Sequence, residues 1–304
     1  MNRVPVIVAT NHKGGVGKTT TTRILAQGLA AMPKYNKGKP ILIIDLDPQC
    51  NTSKRWQLTQ PTPEGEIIPV DHPSLLEGAE PGDDCSSSIC DLWMGMIDPT
   101  AQNVEPIPYE TSNKLIHVVP AHEPAMMSLI GIPVEKRPLV GKYMAAWLQT
   151  KLIADTYSYV IIDTAPSKTV LNEAAMTAAT HCYIPFTPEP QPVDGIFSIV
   201  SYLYAHQNKR PHDRPMYMLG LLPNMVRNVT LHRDEMRKLE KSTAFSEMLM
   251  GVKLKNRVAY AMTDDPRIQP GEVTGMKGSD IQIEAKRFAK YIADKVEATW
   301  EGKQ

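Results

Sequence analysis

Seven consecutive residues, Gly14-Gly15-Val16-Gly17-Lys18-Thr19-Thr20, combine what a polyphosphate site requires. Glycines let the backbone approach phosphate oxygens, and a helix start adds aligned N–H groups with a favourable dipole. Lys18 brings a cation that reaches the β- and γ-phosphates, and the Thr19 hydroxyl is suited to Mg2+. The alternative is a loop that is glycine-rich by chance; the Lys-Thr pair and the β-branched run from Val4 to Thr10 before it argue against that. Three carboxylates belong to the same chemistry. Asp45 and Asp47 follow the apolar run Ile41 to Ile44, and Asp163 closes Val160-Ile161-Ile162. Two acids at i and i+2 past a strand end can divide labour, so Asp45 is assigned to Mg2+ through water and Asp47 to orienting an attacking water. Asp163 is expected to reach the ion through the ion's own water. Either Asp45 or Asp47 could instead only cap a neighbouring helix.

These residues work together only if strands and helices hold them together. Apolar runs read as strands at Val4 to Thr10, Ile41 to Ile44, Leu115 to Val119, Tyr159 to Ile162, Cys182 to Phe186 and Met216 to Leu222. A helical pattern follows the glycine loop through Arg23, Leu25, Leu29 and Ala30. Others cover Lys142 to Asp155, Val193 to His206, Thr230 to Leu249 and Ile281 to Ala298. This alternation predicts an α/β fold: a doubly wound, mostly parallel twisted sheet flanked by helices, with ligands gathering at the carboxyl ends of the strands. One domain is expected over residues 1–304. Residues 57–102 lose all periodicity and read as an irregular insertion with one short helix around Ser87 to Met94, serving as a binding surface or partly mobile.

Composition narrows the classes. The 33 basic and 33 acidic residues cancel, so the whole chain has no electrostatic pull toward nucleic acid or membrane. The charges are nonetheless unevenly placed: from Ser201 onward 18 basic residues face 13 acidic ones, against 15 and 20 before it. The portion 201–304 is therefore the more basic, and is mostly helical by pattern. Four cysteines, Cys50, Cys85, Cys90 and Cys182, make no disulfide framework or zinc-site spacing in a chain this long and read as reduced thiols. No apolar segment approaches 18 residues and no export signal is recognisable, so a cytoplasmic location is expected.

The motif set resembles one family in particular. An ordinary phosphate loop of the Walker A type has glycine where this chain has His12, and here the motif opens instead on Lys13, as Lys13-Gly14-Gly15-Val16-Gly17-Lys18-Thr19-Thr20. That is similar to the deviant Walker A of ParA/MinD-type P-loop ATPases. Asp45-Leu46-Asp47-Pro48-Gln49 resembles the family's D-x-D-P-Q, with Cys50 where glycine is usual. Thr164-Ala165-Pro166-Ser167 resembles its D-x-P-P-S switch, with Ala165 for a proline. Ile184-Pro185-Phe186-Thr187-Pro188-Glu189, followed by Asp194-Gly195, resembles its I-P-V-x-x-E segment. The likeness runs in order from Val4 to about Asn228 and is closest to the ParA branch. It implies ATP/ADP and Mg2+ as ligands, a homodimer with nucleotide sandwiched between subunits, and Lys13 reaching the partner's nucleotide, with Glu189 near the seam. A cation arriving on the triphosphate in this way would stabilise developing charge; the plainer reading of Lys13 is a solvated loop lysine. The resemblance places the adenine against Pro223 and Asn224, which could equally form an ordinary turn.

The same likeness implies nonspecific DNA binding by the ATP dimer, nucleoid association, and hydrolysis stimulated by a ParB-like or adaptor protein. Candidate phosphate contacts are Arg227, Arg233, Arg237, Lys255, Arg257 and Lys286, each of which is otherwise a solvated surface charge. Two other classes compete. A MinD-like membrane ATPase would use the stripe Phe288, Ile292 and Val296, which as a pattern suits core packing equally well; no membrane association is expected. A scaffold that binds nucleotide without turnover is disfavoured by the joint presence of Lys13, Lys18, Thr19, Asp45, Asp47 and Asp163. An operator-binding domain before the first strand is not expected.

Overall fold

The computed structural model describes residues 3–80, 82–189, 192–212, 214–257, 260 and 280–300, with backbone alone at 192–194. In chain order the elements are β1 (Val6–Ala9), α1 (Lys18–Ala30), α2 (Pro33–Asn36), β2 (Ile41–Leu46), α3 (Asn51–Arg55), β3 (Thr59–Pro61), β4 (Ile67–Pro69), α4 (Pro73–Leu76), a 3-10 turn (Ile89–Trp93) and α5 (Met94–Ile97). There follow β5 (Tyr109–Glu110), β6 (Ile116–Val119), α6 (Glu123–Ile130), α7 (Arg137–Trp147), α8 (Lys151–Thr156), β7 (Tyr159–Thr164), α9 (Val170–Ala178) and β8 (His181–Phe186). The last are α10 (Pro192–Gln207), β9 (Tyr217–Pro223), α11 (Thr230–Lys241), a 3-10 turn (Ser246–Met248) and α12 (Asp280–Trp300).

Seven strands form one sheet in the order β5-β6-β2-β7-β1-β8-β9, and only β5 runs antiparallel to its neighbour. Its central strands are apolar on both sides because both faces are covered. Val6, Val8, Leu42, Ile44, Val160 and Ile162 enter the core shared with α7 and α9, where Val140, Met144, Leu171 and Ala175 meet them. The alternate residues Ile7, Ile41, Ile43 and Ile161 enter the opposite core, against Ile24, Leu25 and Leu29 of α1 and Phe288 and Ile292 of α12. The two-residue side-chain period therefore sorts each strand between two hydrophobic layers. This is the expected mostly parallel sheet with flanking helices.

Several sequence-based expectations are corrected. The helix expected over Lys142 to Asp155 is two, because Thr150 adopts an extended conformation and its hydroxyl caps the start of α8 by accepting from the Ile153 amide. The helix expected over Thr230 to Leu249 ends at Lys241, where extended Ser242 breaks it before the short 3-10 turn. In the 57–102 segment the short helix expected around Ser87 to Met94 is present as the 3-10 turn Ile89–Trp93, but the segment is more ordered than expected. It opens with the β3–β4 hairpin, and the 3-10 turn begins with a reciprocal Ser88/Asp91 capping box. Trp93 is fully buried, with its indole Nε1 donating to the Val140 carbonyl at 3.0 Å. Tyr109 Oη donates to the Val70 carbonyl at 2.6 Å. The segment is thus fastened to α7 and to the β5 edge of the sheet. All four cysteines are free and buried.

Candidate functional site

The phosphate loop connects β1 to α1. Gly15 and Gly17 have φ of 72° and 83°, left-handed conformations that favour glycine. Gly17 has a second constraint: a Cβ there would collide with Asn224 Nδ2, which donates to the Val16 carbonyl at 2.8 Å. The end of β9 therefore braces the loop from above. Asn11 braces it from below, its Nδ2 donating to the Pro185 carbonyl at 2.9 Å and its Oδ1 accepting from the Lys13 amide at 2.9 Å. Lys18 is buried, and its Nζ donates to the Asn11 carbonyl at 3.0 Å and the Lys13 carbonyl at 3.5 Å. Burial lowers its pKa, opposed by the negative charges of Asp163 and Asp47. The ammonium is thus held inside the loop by neutral acceptors, which anionic phosphate oxygens can replace with stronger, charge-assisted bonds.

Strand register brings the acids to this loop. Asp45 of β2 lies directly beside Asp163 of β7, and β7 in turn pairs with β1, which leads into the loop. Both carboxylates are fully buried. Asp45 Oδ1 accepts from the Asp47 amide at 3.1 Å, and its Oδ2 accepts from the Ser53 amide at 2.8 Å and the Ser53 hydroxyl at 2.7 Å. Since Ser53 lies in the first turn of α3, Asp45 does cap a helix, as the alternative reading allowed, while still facing Asp163. Asp163 Oδ2 accepts from the Thr52 hydroxyl at 2.8 Å, and its Oδ1 is buried without a partner among the described residues. Burial raises both pKa values; Asp45 is raised further by the charge of Asp163 and held back by its hydrogen bonds, while Thr19 and Thr52 hold Asp163 back. Two crowded carboxylates, an orphaned oxygen and the Thr19 hydroxyl beside them fit Mg2+, which is held by one or two carboxylates plus phosphate and water. No group of three or more His, Cys, Asp or Glu able to hold a metal occurs among the described residues. Asp47 is nearly buried and its Oδ1 accepts from the Gln49 amide at 2.9 Å.

Lys13 projects from the outer rim of the loop. Its Nζ lies 3.3 Å from Glu189 Oε2, with side chains 44% and 49% exposed. The two residues face a cavity of about 130 Å3, also lined by Gly14 to Val16, Met225 and Arg227. Arg227, selected as a DNA contact, therefore stands at the mouth of the phosphate site. Pro223 and Asn224 are buried at the end of β9, and one donor of the Asn224 amide is committed to Val16. Gly195 is exposed near the start of α10, and the Asp194 side chain lies outside the described residues.

Most of the remaining basic candidates already have partners. Arg257 Nη2 lies 2.6 Å from Glu284 and 3.5 Å from Asp280, and Lys255 lies 3.8 Å from Glu284. Arg237 is 3.8 Å from Asp234, and Arg233 donates to the Thr230 hydroxyl at 3.2 Å. Lys286 is exposed. Phe288, Ile292 and Val296 are buried in the core against α1 and the sheet. Among the described residues, no helix is long and apolar enough to cross a membrane.

Sequence reasoning passed over Asn11, Thr52 and Ser53. Their signal was available only in part, as short hydroxyl and amide side chains flanking motif residues, since the strands that bring their partners close are distant in sequence.

Comparison with known proteins supplies the family. The model of the AAA_31 family, described as an AAA domain, matches residues 4–213. The chain is 26% identical to the sporulation initiation inhibitor protein Soj of Bacillus subtilis over 196 residues, 64% of this chain and 63% of that one. It is 28% identical to a ParA family protein of Chlamydia trachomatis over 207 residues, 67% of each. Among solved structures, the ATP complex of a McdA variant from Cyanothece superposes with a TM-score of 0.67 at 16% identity, covering 95% of this chain and 96% of that one. A plasmid partition protein of Borrelia burgdorferi bound to AMPPNP gives a TM-score of 0.65 at 17% identity, covering 96% and 100%. The deviant phosphate loop, the paired acids at neighbouring strand ends and the matched family model together mean that the chain belongs to the AAA_31 family, as a ParA-type member of the deviant Walker A ATPases.

Proposed function

We propose that this protein is a Mg2+-dependent ATPase that dimerises around ATP and positions a plasmid, chromosome or other cargo. The observation that carries the reading is the convergence of Lys13, Lys18, Asp45, Asp47 and Asp163 on the strand ends around one loop. Mg2+ bound there would supply charge neutralisation for the phosphates. Thr19, Asp45 and Asp163 would hold it, Lys18 would bind the β- and γ-phosphates, and the Asp47 carboxylate would orient the attacking water. Lys13 would leave Glu189 for the triphosphate of a second subunit, so that turnover requires the dimer. Pro223 and Asn224 would border the base, with the remaining amide proton and carbonyl oxygen of Asn224 available to its edge.

Nonspecific DNA is the favoured surface for the ATP dimer, with a ParB-like or adaptor protein accelerating hydrolysis and the protein residing on the nucleoid in the cytoplasm. Arg233 and Lys286 are the stronger phosphate candidates. Arg237, Lys255 and Arg257 are weaker because Asp234 lies beside the first and Glu284 beside the other two, and Arg227 is reassigned to the nucleotide side. A MinD-like membrane role has less support, since burial of Phe288, Ile292 and Val296 removes the stripe it would use.

The test pairs ATP-dependent binding to random duplex DNA with flotation on anionic vesicles, alongside phosphate release. Wild type should bind DNA only with ATP, lose it steeply as salt rises, and hydrolyse ATP; Lys18→Ala should lose both. Lys13→Ala should keep monomeric nucleotide binding and lose dimer-dependent turnover. Vesicle binding without DNA binding would overturn the DNA reading, and turnover by Lys18→Ala would overturn the site itself.

A further inference from the structure

We infer that Thr52 is a positioning residue of the metal site, turning Asp163 so that one carboxylate oxygen is fixed and the other is presented to Mg2+. The inference rests on the proposed nucleotide function and adds a residue to it.

The geometry is specific. Asp163 lies one residue before the end of a central strand and is fully buried, so its carboxylate has no solvent to satisfy it. Thr52 Oγ1 donates to Oδ2 at 2.8 Å, and Oδ1 is left buried and unpartnered. A buried oxygen without a partner costs about 1–3 kcal/mol, more for a charged group, so this arrangement persists only where something else is served by it. A hydroxyl on one oxygen restricts rotation of the carboxylate about its Cβ–Cγ bond and aims the second oxygen. Thr52 is itself fully buried, and its neighbour Ser53 holds Asp45 by two hydrogen bonds. Both hydroxyls lie in the first turn of α3, directly after the segment that carries Asp47. A single helical turn therefore donates to both metal-site acids, while Thr19 of α1 meets Asp163 from the phosphate loop.

The experiment uses the full chain as wild type, Thr52→Val and Thr52→Ser, with a fluorescent N-methylanthraniloyl-ATP as probe, titrated in EDTA and then against Mg2+. In EDTA all three proteins should bind the probe alike, because the phosphate loop is intact. The Mg2+ concentration at half-effect should rise by about 10- to 100-fold in Thr52→Val, while Thr52→Ser, which keeps the donor, should stay near wild type. A Thr52→Val midpoint within twofold of wild type would overturn the proposal, as would an equal loss of affinity in EDTA, which marks a general structural role. If Thr52→Val does not fold, Thr52→Cys, of similar shape with a poor donor, is read by the same two outcomes. Wild type that binds no probe in either condition would overturn the nucleotide reading and this inference with it. Probe binding with an unchanged Mg2+ midpoint in Thr52→Val would overturn the inference alone.

Discussion

Gly28 sits in the buried face of α1 where α12 crosses it. A methyl group built there would lie 2.5 Å from Ala289 Cβ and 3.3 Å from the Ala285 carbonyl oxygen. Carbon atoms in good contact are about 3.5–4.0 Å apart, so Gly28→Ala forces α12 to retreat by about 1 Å. Phe288 and Ile292, fully buried in the same layer, would lose contacts. Overpacking of this kind costs about 1–3 kcal/mol, against about 1 kcal/mol gained from replacing glycine inside a helix. The 2.5 Å approach to an inflexible Cβ puts this site in the upper part of the overpacking range, about 2–3 kcal/mol, and the net loss of about 1–2 kcal/mol should lower the melting temperature of a 304-residue chain by about 2–3 °C. Nucleotide affinity should hold, because Gly28 lies about 15 Å along the helix from Lys18. Thermal melts with and without ATP and Mg2+ measure both quantities. In an Ala289→Gly background the same substitution should become neutral or stabilising, because the nearest clash is gone. A Gly28→Ala protein as stable as its parent would refute the packing argument, as would an identical loss in the Ala289→Gly background.

Two further outcomes follow from local geometry. Gly17→Ala should abolish nucleotide binding, since it combines left-handed strain with displacement of Asn224 from the Val16 carbonyl; Gly38→Ala, at φ of 76° with nothing within 4 Å, should cost only about 1–2 kcal/mol and leave binding intact. Comparable probe affinities for the two variants would show that Asn224 does not brace the loop. His181 is buried with Nδ1 on the Thr180 hydroxyl and Nε2 on Thr299, and burial lowers its pKa to about 4. A base whose pKa falls on folding stabilises the native state fully above its unfolded value near 6.5, and this contribution, at most about 3 kcal/mol, is lost as pH falls toward 4. Urea midpoints should therefore drop more steeply between pH 7 and 4.5 for wild type than for His181→Gln, and parallel slopes would contradict the assignment.

Much of the site was legible because its chemistry is local in sequence. Gly14 to Thr20, Asp45, Asp47 and Asp163 each follow an apolar run, and a parallel sheet gathers strand ends without further information. What joins them was not legible. The bonds of Thr52 to Asp163 and Asn224 to Val16 span 111 and 208 residues, and no local pattern encodes such a pairing. The irregular composition of 57–102 was visible, but Trp93 and Tyr109 pack by meeting partners from other elements. Helix ends failed differently: Thr150 was readable as a cap, and the apolar spacing that continues across it concealed the break. Charge counting located a basic portion without showing that Glu284 neutralises part of it.

The exposed contact between Lys13 and Glu189 has a thermodynamic corollary. Solvated ion pairs of this type contribute about 0–1 kcal/mol, so withdrawing the lysine shifts an equilibrium by a factor of about five at most. Its resting place is a shallow well, shallower still in high salt, and the glutamate sets almost no threshold for the lysine's departure. Were the lysine to cross to a second subunit as proposed, control over its movement would reside in whatever awaits it there.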